Sequence, residues 1–106
     1  MRMLMMIILF LFLGMQAATA QSQGVQAQRG YAFAQTRCAS CHAIGPVGES
    51  PVESAPPFRT LHRRYPVENL AESLAEGIVT GHPGMPQFQL DVSQIADLIA
   101  YLKQLE

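Results

Sequence analysis

Both cysteines of this 106-residue chain fall inside one five-residue stretch, Cys38-Ala39-Ser40-Cys41-His42. No other feature limits the fold as sharply, because two thiols and an imidazole so close together must share one local purpose. On a helix, residues three apart lie on one face, so both sulfurs project the same way with His42 directly behind. A Cys38–Cys41 disulfide would close a very small loop and stabilise little, and it would leave His42 unexplained. A thioredoxin-like redox motif requires alternating strands and helices around it, and strand-like alternation is hard to find here.

The remaining meaning of C-x-x-C-H is covalent attachment of a c-type haem, with two thioethers to the porphyrin and a histidine to the iron. The sequence therefore predicts one covalently bound haem c, held by Cys38 and Cys41, with His42 as an iron ligand.

The chain opens Met1-Arg2, and residues 3–13 form an unbroken apolar run of 11. Gly14 ends the run, and Ala18-Thr19-Ala20 follows before Gln21. A basic start, a short apolar run and a small-x-small triplet read as a secretory signal peptide over residues 1–20, cleaved after Ala20. The run is shorter than the about 20 apolar residues of a membrane-spanning helix. An exported soluble protein in the periplasm is expected, with no stable membrane insertion once the leader is gone.

The remaining 86 residues, 21–106, are one small domain. Apolar burial alone stabilises a domain of that size poorly, and a haem would complete its core. Of the six methionines, five lie in the leader and only Met85 remains in residues 21–106. These residues hold six basic side chains against eight acidic ones, with Lys103 as the single lysine. That balance argues against nucleic acid and against a lysine-ringed docking face. The one basic cluster, Arg63-Arg64, reads as solvated surface, as does neighbouring His62.

Residues 21–24 are polar and read as a loose start. Helical spacing begins after them: Ala27, Tyr31, Ala34 and Cys38 share one face, which delivers Cys38 to the haem. Gly30 costs helix stability relative to alanine, and reads as a place where another helix backbone comes close. Residues 43–57 hold four prolines and two glycines and form an irregular loop. Phe58 and Leu61 are the inner residues of a short helix. Pro66 opens the next helix, with Val67, Leu70, Leu74 and Ile78 inside, Glu68, Glu72 and Glu76 outside, and Gly77 at its end. Asp91 with Gln94 three residues later resembles a capping box. The helix after it carries an apolar face of Val92, Ile95, Leu98, Ile99, Leu102 and Leu105, with Tyr101 beside it.

Between the last two helices lies Thr80-Gly81-His82-Pro83-Gly84-Met85-Pro86, stiffened by two prolines. A lone methionine is commonly a core gap-filler. A thioether is also a soft, neutral ligand that suits haem iron opposite histidine and raises its reduction potential. In a chain with C-x-x-C-H and one remaining methionine, Met85 is expected to ligate the iron.

Taken together these residues resemble the class I (monohaem) cytochromes c of the small bacterial type, over nearly all of residues 21–106. The resemblance rests on CASCH, on Gly30 eight residues before Cys38, and on Pro56 followed by Phe58 and Leu61. It rests also on GHPGMP at 81–86 and a last helix ending IAYLKQL. It implies an all-α fold of three to five helices and irregular loops wrapped around one haem, with His42 and Met85 as axial ligands. It also implies that the Pro56 carbonyl accepts a hydrogen bond from the other ring nitrogen of His42, and that Gly30 and Tyr101 mark a crossing of the first and last helices. Two departures stand out. Ala34 occupies the position, four residues before the first cysteine, where the family often has an aromatic side chain. The chain also lacks tryptophan, which leaves Tyr65, Arg59 or His82 to meet a haem propionate.

The function expected is that of a one-electron carrier, a monomer that meets redox partner proteins and is not an enzyme in its own right. Two alternatives stand beside it. One is a haem protein with a labile sixth ligand that binds small ligands or reduces peroxide. The other is a dedicated electron-transfer subunit of a dehydrogenase or oxidase.

Overall fold

The computed structural model describes residues 1–77 and 84–106, and for residues 2 and 4–20 the backbone alone. The fold is all-α, as expected, with no strand among the described residues. Among the described residues there are three α-helices, α1 (Arg2–Arg37), α2 (Leu70–Glu76) and α3 (Val92–Gln104), and two 3-10 segments, Phe58–Arg63 and Val67–Asn69. Among the described residues no helix is long and apolar enough to cross a membrane.

The N-terminal helix is longer than the sequence pattern indicates. Residues 21–24, expected to be loose, are helical and join residues 2–20 to the segment 25–37 in one continuous helix. Their side chains are polar or absent, but no proline interrupts them, and a single Gly24 costs only about 1 kcal/mol in a helix. Ala27 and Ala34 are buried as expected, while Tyr31 is largely exposed.

The helix α3 crosses α1 at Gly30. Asp91 caps α3 in a full capping box, its carboxylate accepting from the Gln94 amide while the Gln94 side chain accepts from the Asp91 amide. Burial on α3 begins at Ile95 and continues through Leu98, Tyr101 and Leu102. Val92, expected on the apolar face, is 84% exposed; it is the first residue of the helix, one turn short of the buried positions. Arg29 beside Gly30 forms a two-pronged ion pair with Asp97 at 3.1 and 3.2 Å, which neutralises the one charged group buried at the crossing.

The 3-10 segment Phe58–Arg63 buries Phe58 and Leu61. His62, expected at the surface, is instead half-buried, with Nδ1 enclosed and without a hydrogen-bond partner. Pro66 does not begin an α-helix directly; it precedes the 3-10 turn Val67–Asn69, which leads into α2 at Leu70. Val67 and Leu74 are buried and Glu68, Glu72 and Glu76 exposed. Gly77 ends α2 at φ 93°, a conformation that favours glycine. Ile78, Thr80, Gly81, His82 and Pro83 lie outside the described residues. The segment after them returns to the core through the Leu90 amide, which donates to the Leu74 carbonyl at 2.9 Å.

One apolar cluster holds these elements together: Ala34 from α1, Ile44 from the loop, Phe58 and Leu61, Val67 and Leu74, Leu90, and Ile95, Leu98 and Leu102 of α3. Cys38, Ala39 and Phe88 border it, so the C-x-x-C-H stretch sits against the core.

Candidate haem site

The helix α1 stops at Arg37, and the chain turns tightly about Cys38. The amides of Cys38 and Ala39 both donate to the Ala34 carbonyl, at 2.8 and 2.9 Å. The amides of Cys41 and His42 then donate to the Cys38 carbonyl, at 3.2 and 3.0 Å. The three-residue spacing therefore acts through a helical turn just beyond α1. Both cysteines are free thiols and half-buried. Burial pushes the Cys38 thiol up to about 11, partly offset by the neighbouring Arg37 guanidinium, so in the chain without its cofactor Cys38 is a neutral thiol at physiological pH.

His42 is half-buried, and its Nδ1 lies 2.8 Å from the Pro56 carbonyl oxygen. A carbonyl only accepts, so Nδ1 carries a proton, and in the neutral ring the lone pair is at Nε2. The ring also rests against Phe58, centroids 5.1 Å apart and tilted by 44°. Orientation and tautomer of the imidazole are thus both set by the protein.

The backbone around His42 is tied from three directions. The Val52 amide donates to the Cys41 carbonyl at 3.1 Å, and the Ala43 amide donates to the Ser50 hydroxyl at 2.9 Å. The Phe58 amide donates to the Ala43 carbonyl at 2.9 Å. From α3, the buried Tyr101 hydroxyl donates to the Ile44 carbonyl. The Tyr101 ring also meets Tyr31 edge-on at 5.3 Å, so Tyr31 supplies the aromatic contact at the crossing that Ala34 cannot.

Cys38, Cys41, His42 and Pro56 are thus brought together in one place. Met85 is half-buried in the segment leading into α3, next to Gly84 at φ 93°. Of the three side chains considered for a propionate, Arg59 donates to the Gly48 carbonyl at 2.6 Å. Tyr65 is half-buried, its phenol pushed above the usual range mainly by burial. His82 lies outside the described residues. The Tyr101–Ile44 tie and the Arg29–Asp97 pair are not apparent in the sequence, because each joins residues far apart in the chain.

The donor set fits a c-type haem. It offers two thiols on one turn, an imidazole nitrogen with a free lone pair, and an apolar wall of Ile44, Phe58 and Leu61. Comparison with known proteins decides the family: the cytochrome c model matches residues 27–106. The chain belongs to the cytochrome c family. It is 28% identical over 95 residues to cytochrome c-552 of Bradyrhizobium diazoefficiens, covering 90% of this chain and 89% of that protein. No solved structure matches it. As a family member the chain carries covalently bound haem c and passes electrons to and from redox partner proteins.

Proposed function

We propose that this cytochrome c is an exported, periplasmic one-electron carrier, with thioethers at Cys38 and Cys41 and with His42 Nε2 and Met85 Sδ as axial iron ligands. The observation that carries the reading is the His42–Pro56 hydrogen bond at 2.8 Å, which leaves Nε2 as the one imidazole nitrogen able to bind metal. A carbonyl behind a ligating histidine also raises the basicity of the ring. When bound, the haem supplies the Fe(III)/Fe(II) couple.

The protein's part is to keep its own groups still while charge changes. The His42 ring is fixed by Pro56 and Phe58, and its proton stays at Nδ1 in both redox states. The flanking backbone is held by Val52, Ser50, Phe58 and Tyr101, so little rearrangement accompanies transfer. Ile44, Phe58, Leu61 and Phe88 exclude water, which with the neutral thioether of Met85 favours the less charged reduced state. The leader pattern of residues 1–20 supports export, with cleavage after Ala20 leaving residues 21–106 as the working domain. Were His42 and Met85 both to hold the iron of a bound haem, no open site for substrate would remain, which supports a carrier rather than an enzyme in its own right.

Potentiometric titration of the holoprotein and of Met85→Ala tests the ligand set. The variant should have a lower midpoint potential and should bind carbon monoxide when reduced. An unchanged midpoint and no carbon monoxide binding would remove Met85 from the iron.

A further inference from the structure

The loop after the C-x-x-C-H turn is irregular but firmly pinned. Val52 ties it to the Cys41 carbonyl and Ser50 to the Ala43 amide. Arg59 holds the Gly48 carbonyl at 2.6 Å, and Gly48 itself turns the chain at φ 97°. Each of these ties engages a backbone group of the chain itself. What the loop turns outward is apolar and acidic: Val47 is 80% and Val52 41% exposed, and Pro46, Glu49, Pro51 and Glu53 are exposed beside them.

The balance of charge is acidic, two carboxylates against the one guanidinium of Arg59. Residues 43–58 contain two carboxylates and no basic side chain, and Arg59 is turned onto the loop's own backbone. Neither Glu49 nor Glu53 joins an ion pair among the described residues, whereas Asp97 is held by Arg29 and Glu68 by Lys103. Arg37, the nearest cation in sequence to Cys38, lies over the Phe33 ring, 5.9 Å from its centroid. Large exposed apolar side chains on a rigid segment, bordered by a net acidic charge, are the features of a recognition surface.

We propose that the strap of residues 46–53 is the docking surface for an electron-transfer partner whose own contact face is an apolar centre bordered by lysine or arginine. This rests on the carrier reading above and adds to it the chemistry of the partner. The placement favours rapid transfer. The Val52 amide is one hydrogen bond from the Cys41 carbonyl, so a partner seated on the strap would lie close to a haem attached at Cys41, and electron transfer slows steeply with distance. The charge selects the occupant. A surface with Glu49 and Glu53 repels nucleic acid and anionic lipid, and attracts a basic protein face at a rate that depends on salt.

The experiment uses the reduced holoprotein and two small oxidants: tris(phenanthroline)cobalt(III), which is cationic and apolar, and ferricyanide, which is anionic. Stopped-flow rates are measured against ionic strength. Glu49→Gln with Glu53→Gln should slow oxidation by the cobalt complex about threefold or more at low salt and flatten its salt dependence, and should not slow ferricyanide. Val47→Ser with Val52→Ser should slow the cobalt complex at every salt concentration. Glu72→Gln with Glu76→Gln, on the exposed face of α2, should change neither rate. Normal spectra and midpoints with a cobalt rate indifferent to Glu49 and Glu53, or equally sensitive to Glu72 and Glu76, would overturn the docking surface alone. Self-association, or binding to zwitterionic vesicles, that is lost in the valine variant would also overturn it, in favour of a second copy or a membrane. A holoprotein without low-spin haem would overturn the carrier reading and the docking surface with it.

Discussion

Gly30 and Asp97 are in backbone contact: a Cβ at Gly30 would stand 1.9 Å from the Asp97 carbonyl oxygen and 2.9 Å from the Tyr101 Cβ. That contact sets how closely α1 and α3 cross, and α3 in turn brings Tyr101 to the Ile44 carbonyl. The obstacle is backbone, which cannot rotate away as a side chain could. Gly30→Ala should therefore destabilise the fold by about 3 kcal/mol, at the upper end of ordinary overpacking costs, even though alanine is the better helix former. Denaturant titration of the holoprotein checks this; an unchanged midpoint would mean that the helices do not meet there.

Beside that contact, Asp97 is buried and Arg29 is more than half exposed, with side-chain exposures of 12% and 56%. Removing Arg29 leaves a buried carboxylate without its partner, whereas Asp97→Asn removes the charge and keeps a polar group. Arg29→Gln should cost about 1–2 kcal/mol, reduced from a fully buried pair by solvent on the arginine side. In the Asp97→Asn background the same substitution should cost much less. A double-mutant cycle reads the coupling directly.

Tyr101 makes the only hydrogen bond from α3 to the segment following His42 among the described residues. Tyr101→Phe should cost about 1–2 kcal/mol, because the Ile44 carbonyl loses its donor inside the core. The phenol lies above its ordinary pKa, chiefly through burial and secondarily through nearby Tyr31. Its neutral form is favoured by folding, so its contribution is complete below the ordinary value of about 10 and is lost as pH rises past the folded value. Tyr65 shifts in the same direction, also through burial. Unfolding midpoints should thus fall at strongly alkaline pH and fall less in Tyr101→Phe. An equal alkaline decline in both proteins would assign the effect to other groups.

Much of the fold was legible where short-range rules decide it. The Asp91–Gln94 capping box, the Phe58 and Leu61 inner face, the glycine stop at Gly77 and the close approach at Gly30 each follow from a few neighbouring residues, and each is found in place. The C-x-x-C-H stretch lies at the end of α1, though in a turn just beyond the helix and not on it. Sequence reading failed where a neighbour in space decides the outcome. Val92 fits the apolar spacing of α3 but lies before the first covered turn. His62 looks like surface beside two arginines, yet the 3-10 turn folds its Nδ1 inward. The Arg29–Asp97 and Tyr101–Ile44 ties span 68 and 57 residues, and no local pattern encodes such a pairing. Residues 21–24 look loose by composition, but a helix already under way continues through polar residues unless proline or a cap stops it.

The absorption spectrum of the purified, oxidised holoprotein tests the central claim most directly, because one trace reports both the spin state and the sixth ligand. Low-spin haem with the far-red methionine–iron band, lost on replacing Met85 by alanine, is the result predicted for His42 and Met85 ligation. A high-spin spectrum, or a far-red band that survives the loss of Met85, would contradict it.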